Sequence, residues 1–319
     1  MIYLPKFPEL KNGYNSYLLS LSLDRNISII PSNIVETGSI APGINKVKGV
    51  RFNGSSGFKK DSTNTDSSDD LEIVINWIGR FLNIKMAKAY RMLSPTGDPI
   101  ALVSENVVQT NDLEFFTMCD MKGKLANHVD MINYDGWVDR YFELMRHKAY
   151  PDVPESFEYL AQTEEEVNDV IELGYRVIDH IYYDDILKNN AIFDYEKMLF
   201  LDTLIGQVDR TVGNYGFIYN SNEDTYLFAP LFDDSTLRKP YTETNVCMIN
   251  NFIIDRKLAI ECLMKKERII KISKALLKHK KLFIDELIEI SDFFLTPEKN
   301  DLLLSNIFLG LFYIESILE

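Results

Sequence analysis

The rhythm of hydrophobic and polar positions changes twice along this chain. In the first hundred residues the apolar positions come in short alternating or β-branched runs. These are YLLSLS (17–22), ISII (27–30) and VKGVRF (47–52), set off by Gly, Pro and Asn. Such runs predict strands separated by turns. A polar tract without apolar anchors, DSTNTDSSDD (61–70), then predicts a loop. Helical spacing begins after it: Leu71, Val74, Ile75, Ile78 and Leu82 share one face, and DDLE (69–72) has the pattern of a capping box. AKAYRML (87–93) and PIALVS (99–104) flank the turn SPTGD (94–98) and predict two more strands.

From about residue 109 the pattern becomes mainly helical. Helices are predicted over 164–181 and 194–205, the second with Asp194 as N-cap and Gly206 as its stop. That helix delivers the chain straight into Val208 and Asp209. Two strands, YGFIY (215–219) and YLFA (226–229), bracket the turn NSNED (220–224). Helical segments broken around Thr296 and Pro297 fill the remainder, and no internal repeat is visible. The expected fold class is α+β with two lobes: a small β-rich lobe over 1–107 and a larger, mainly helical lobe over 108–319.

Composition narrows the function classes. With 319 residues, 46% of them apolar, the chain can bury a substantial interior. A formal charge of -14 argues against a general binder of nucleic acid or anionic membrane, whose phosphates call for Lys and Arg. Cys119, Cys247 and Cys262 are scattered, with no CxxC pair, so neither a zinc site nor a disulfide framework is expected. The start, MIYLPKFP, lacks the regions of a signal peptide, and no apolar run approaches the ~20 residues of a membrane span. A cytoplasmic protein is the expectation, although signal-independent secretion would leave no mark of this kind.

The stretch with chemistry in it is GQVDRTVGNYGF (206–217), followed by APLFD (229–233). It sets Asp209 and Asn214 five residues apart and adds Asp233 just beyond the predicted hairpin. Phosphoryl transfer relies on positioning and charge neutralisation, and uses these residue types at this spacing. An Asp can face the acceptor hydroxyl while an Asn and a later Asp offer hard oxygens to magnesium, which needs few protein ligands. A lone D-x-x-x-x-N is weak, because surface loops are rich in both residues. The apolar helix before it and the strand-end Asp after it strengthen the reading. Asp234 stands beside Asp233 as a competing ligand.

The wider segment LDTLIGQVDRTVGNYGFI (201–218) with LFAPLFD (227–233) resembles the HipA-like serine/threonine protein kinases, in particular the compact CtkA type. Their motif runs roughly L-I-G-N-x-D-R-H-x-x-N-x-G-F, then L-A-P-L-Y-D. The resemblance implies a two-lobed kinase fold and transfer of the ATP γ-phosphate to Ser or Thr, including autophosphorylation. It also implies ATP and Mg2+ as cofactors. Asp209 would be the catalytic Asp; Asn214 and Asp233 would be the metal ligands. Thr211 stands where the family has His, and Gln207 where Asn is frequent. An antitoxin-type protein partner belongs to the same resemblance; the protein substrate is not legible.

The small lobe should also supply a cation for the ATP phosphates. GFKK (57–60) carries two candidates. The family pattern points to Lys59, with Lys60 next, and a solvated basic pair is the plain alternative. Glu72 could partner that cation or serve only the capping box. TGSIAPG (37–43), with Ser39 and Gly43, reads either as a phosphate-covering loop or as a hairpin turn. Ser39 is also the expected self-phosphorylation site. Glu105 and Asn106, in SENV (104–107), resemble the inter-lobe connector whose backbone would meet adenine. Arg210 either orients the loop or touches phosphate, or it is an ordinary structural ion-pair partner. Asp184 and Asp185 read as a helix-end or solvated pair.

His128, His147, His180 and His279 show no metal-ligand spacing, and no G-x-S-x-G elbow occurs. Two other functions share the loop's requirements. One is a small-molecule phosphotransferase of the aminoglycoside or lipid type; the other is a non-catalytic nucleotide-binding pseudokinase.

Overall fold

The computed structural model describes residues 28–29, 34–41, 47–52, 55–61, 68–93, 99–118, 120–121, 163–232, 237, 245–250 and 252–319. The expected strand at 17–22, the tract 62–67, Gly43, Cys119, Asp233 and Asp234 lie outside these residues. Elements are numbered below in chain order among the described residues.

A six-stranded sheet comes first, built from β1 (Ser28–Ile29), β2 (Val35–Ala41), β3 (Val47–Phe52), β4 (Ser55–Asp61), β5 (Ala89–Leu93) and β6 (Pro99–Glu105). Its order is β1-β5-β6-β4-β3-β2. Only the β1–β5 pairing is parallel. Helix α1 (Ser68–Phe81) packs on β5 and β6. Its buried face carries Leu71, Val74, Ile75 and Ile78, as the spacing predicts.

The chain then leaves this sheet. β7 (Leu113–Thr117) pairs antiparallel with β8 (Gly216–Asn220), which pairs in turn with β9 (Thr225–Phe228). Strand β7 was not expected: its five residues are short, and its partner lies about a hundred residues away, so the local pattern does not reveal it. The same holds for the hairpin of β10 (Val246–Ile249) and β11 (Phe252–Asp255).

The helices are α2 (Glu164–Ile181), α3 (Asp185–Ile205), α4 (Arg256–Leu263), α5 (Glu267–Lys278), α6 (Lys280–Phe294) and α7 (Pro297–Leu318). α2 begins in a complete capping box of Thr163 and Glu166. α3 starts nine residues before the expected point. Its N-cap is Asp184, whose Oδ1 accepts from the N–H groups of Ile186 at 2.9 Å and Leu187 at 2.8 Å. Asp194 is an interior residue, ion-paired to Lys197 and Lys85. The helix ends as expected at Gly206, whose φ of 71° is left-handed.

Helix α7 corrects one expectation. It is long and apolar enough to cross a membrane by length and composition alone. One of its faces, Leu303, Ile307, Leu311 and Ile314, is fully buried in the core.

One continuous hydrophobic core runs from α1 through α3 to α7. A smaller cluster of Val50, Met92, Ala101 and Val103 belongs to the six-stranded sheet alone. Helix α1, which covers the sheet, is joined to α6 by aromatic packing: the Trp77 ring stacks on Phe283 with centroids 5.8 Å apart, and Phe81 meets the same ring at 5.0 Å. Arg91 of β5 donates to the Phe294 carbonyl at 2.8 Å and lies over the Phe294 ring.

Candidate functional site

Two adjacent lysines on β4 must face opposite sides of the sheet, since side chains alternate along a strand. Lys59 pairs with Glu36 of β2 at 2.9 Å. Lys60 faces the helix side, where its Nζ lies 2.9 Å from Oε2 of Glu72. Glu72 is 2% exposed, and its Oε1 accepts from the Ser104 hydroxyl at 2.8 Å. The helix begins at Ser68, so Asp69 is already inside it and Glu72 does not close a capping box on Asp69. Its two oxygens serve the sheet instead. A strand lysine paired to a helix glutamate is the arrangement protein kinases use to hold ATP phosphates.

TGSIAPG (37–43) is not a free loop over its first half. Thr37 to Ala41 belong to β2, and Ile40 and Ala41 pair with Lys48 and Val47. The register shifts between Glu36 and Ile40, which places Ser39 within an irregular stretch of the strand.

At the connector, the Glu105 N–H donates to the Lys88 carbonyl at 2.7 Å and the Asn106 N–H to Ser56 at 2.9 Å. The Glu105 carboxylate accepts from the Tyr90 hydroxyl at 2.7 Å and lies 3.7 Å from Lys88 Nζ. Both N–H groups are thus engaged within the protein.

The loop after α3 is built around a buried arginine. Arg210 is fully buried, and its Nε and Nη2 bond both oxygens of Asp202 at 2.9 and 3.0 Å. Burial pushes the Asp202 carboxyl pKa up, and the guanidinium pulls it back down. The remaining nitrogen, Nη1, donates to the carbonyls of Asn214 at 3.1 Å and Phe232 at 3.4 Å. One side chain therefore ties helix α3, the end of the loop and the residue before Asp233 together. Arg210 is thus a buried ion-pair partner of Asp202 that also bridges the loop carbonyls, and it is turned inward by those bonds.

Asp209 and Asn214 are both half-buried and brought together. The Asn214 Nδ2 donates to the Asp209 carbonyl at 2.8 Å, so the atom it can present to an ion is its oxygen. The Asp209 carbonyl also accepts the Thr211 N–H at 2.9 Å, closing a tight turn. Gln207 is buried, and its Oε1 accepts the Val208 N–H at 3.0 Å. Among the described residues no three His, Cys, Asp or Glu side chains cluster as a metal site.

Sequence reading missed the residues that hold this loop from behind. Arg256, fully buried, donates to the carbonyls of Thr203 at 2.5 Å and Leu204 at 2.5 Å, the last turn of α3. Those carbonyls have no partner within the helix, and a guanidinium satisfies them. Burial lowers its pKa to about 10. Gly310 of α7 lets the chains approach here: a Cβ would lie 2.5 Å from the Leu204 carbonyl oxygen. On the far side, Asn250 links Tyr215, Tyr195 and the Val170 carbonyl in one buried network. Finally, Leu231 is paired to the segment after α1, with Ala87 N–H donating to its carbonyl at 2.7 Å and its own N–H to Lys85 at 2.9 Å. The helix that carries Glu72 and the segment leading to Asp233 are thereby connected.

No protein-family model matches the chain. Among solved structures, the proinflammatory kinase CtkA of Helicobacter pylori superposes with a TM-score of 0.58 at 16% identity, over 91% of this chain and 96% of that one. The fold is CtkA-like. It is mixed α and β with two lobes, the kinase-like architecture that the resemblance implied. The serine/threonine-protein kinase CtkA of Helicobacter pylori J99 is also 42% identical to this chain over 50 residues. That stretch is 16% of this chain and spans only 15% of the CtkA sequence. A complex of HipA, HipB and operator DNA from Shewanella oneidensis MR-1 gives a TM-score of 0.46 at 12% identity, covering 87% of this chain and 65% of that one.

Proposed function

We propose that this chain is an ATP-dependent serine/threonine protein kinase of the HipA-like, CtkA type. The observation that carries the reading is the Lys60–Glu72 ion pair across sheet and helix, in a chain whose second lobe holds Asp209 and Asn214 on one tight loop. Lys60 steadies the ATP phosphates, with Glu72 fixing its rotamer. Lys59, on the other face, is held by Glu36 and plays no part in transfer.

Asp209 orients the acceptor hydroxyl and accepts its proton. Asn214 offers its side-chain oxygen to magnesium and Asp233 its carboxylate; both are hard oxygen donors, which suits that ion. Bound magnesium neutralises charge on the phosphates. Arg210, through the Asn214 and Phe232 carbonyls, keeps the two ligand positions in register. Residues 1–107 form the nucleotide-binding lobe and 108–319 the lobe that carries the loop. Ser39, in the irregular stretch of β2, is the self-phosphorylation site. The protein works in the cytoplasm, and an antitoxin-type protein is the partner class that HipA-like chemistry implies.

Incubation with Mg-ATP and separate acceptors tests this: a cell lysate, an aminoglycoside panel and phospholipid headgroups. Phosphoserine or phosphothreonine in protein is the expected product. Transfer confined to the small molecules would assign a small-molecule phosphotransferase. Nucleotide binding without any transfer would assign a pseudokinase.

A further inference from the structure

A cavity of about 270 Å³ opens at the junction of the turn after α1, the first half of α3 and strand β9. None of its lining residues belongs to the loop 206–214. Its walls are aromatic, with Phe193 from α3 and Tyr226 and Phe228 from β9. Its polar groups do not balance among themselves. Tyr182 is 4% exposed, and its hydroxyl has no hydrogen-bond partner among the described residues. Burial, with the Asp194 charge adding to it, raises the Tyr182 pKa, so the phenol keeps its proton and remains a donor.

Two lysines share one carboxylate beside it. Asp194 lies 2.8 Å from Lys85 Nζ and 2.6 Å from Lys197 Nζ. Lys197 is fixed: it donates to the Asn83 carbonyl at 3.2 Å and rests over the Phe193 ring. Lys85 has a side chain 60% exposed and can turn toward a new anion. Two ammonium groups against one carboxylate leave positive charge next to a buried donor. An unpaired buried hydroxyl is destabilising, and native proteins keep few of them.

We propose that this cavity binds a small aromatic carboxylate, its ring between Phe193, Tyr226 and Phe228 and its carboxylate on the Tyr182 hydroxyl and the Lys85 ammonium. The volume sits at the lower edge of ligand pockets and suits one or two fused rings. An inorganic anion would leave the aromatic walls unused, and a neutral ring would leave the excess lysine unmatched. Occupancy would also restrain Lys85, whose carbonyl pairs with Leu231 two residues ahead of Asp233. The site does not depend on the kinase reading, because binding is measured without nucleotide.

The test is calorimetric titration and thermal melting of the full chain with 1-naphthoate and indole-3-acetate. The matching amides and inorganic phosphate serve as controls. Both carboxylates should bind and raise the melting temperature, with the amides about tenfold weaker because they lack the charge-assisted contacts. Tyr182→Phe and Lys85→Met should each weaken the acids about tenfold. Free Tyr182→Phe protein should melt no lower than the parent, since among the described residues its hydroxyl has no partner to lose. Absent binding of both acids, amides or phosphate equal to the acids, or affinity unchanged in both variants would overturn the proposal. So would a clear drop in the melting temperature of free Tyr182→Phe protein.

Discussion

Lys60 and Lys59 are chemically identical neighbours, and the fold gives them different partners. Lys60 meets a carboxylate 2% exposed, whereas Lys59 meets Glu36, which is exposed. Lys60→Met should therefore lower phosphate transfer roughly 10²-fold, the scale of losing one preorganised charge at a phosphoryl site. Lys59→Met should leave the rate within about twofold, as expected for a surface pair. Side-by-side turnover assays check this; equal losses in the two variants would refute the assignment. The family pattern pointed to Lys59 first, whereas the fold gives the helix carboxylate to Lys60. Strand alternation puts them on opposite faces, and which face carries α1 is a tertiary fact. Asp209 and Asn214 could be named as candidates because the proposed chemistry needs a fixed spacing, and the fold sets them on one loop. Arg210 left its readings open, because its partners, the Asp202 carboxylate and the Asn214 and Phe232 carbonyls, are set by the tertiary fold.

Helix α6 carries a consequence for pH. Glu286 lies on it with one carboxylate oxygen buried and, among the described residues, unpartnered. Burial, with Glu289 adding repulsion, raises its pKa from an ordinary 4.5 to about 7. A folded state that holds this proton more tightly than the unfolded chain is favoured at low pH. The contribution is full below about 4.5 and is lost as pH rises through about 7. Melting temperatures of Glu286→Gln and parent protein should accordingly converge in acid, and the variant should gain on the parent as pH rises to 8. A constant difference across that range would contradict the account. Elements with strong local signals, such as α1, α2 and the hairpin 216–228, were read correctly from periodicity and turn residues. The start of α3 was misplaced because Asp194 has the composition of a cap, while the stronger cap, Asp184, read as a helix-end or solvated pair with Asp185. β7 carries no local signal that outweighs its neighbours, and its pairing is long-range.

In the whole molecule, helix α1 packs on the six-stranded sheet and also belongs to the core of the helical part, so the sheet is not expected to unfold independently of the helices. Phe283 is the test position, buried between Trp77 and Phe81 of α1. Phe283→Ala should cost about 3–5 kcal/mol by loss of burial and cavity formation. Calorimetry should still record one transition at lower temperature; two separated transitions in the parent protein would show that the lobes are energetically independent. The two-lobed class was visible in the change from alternating to helical rhythm. The seam was not, because Trp77 and Phe283 lie on helices two hundred residues apart. Asp209 is the residue proposed to receive the acceptor's proton. The most direct measurement follows γ-phosphate transfer from Mg-ATP to protein by the parent chain and by Asp209→Asn, with nucleotide affinity determined in parallel. Transfer should fall roughly 10²–10⁴-fold with nucleotide affinity little changed; near-parental transfer by Asp209→Asn would rule Asp209 out as that residue.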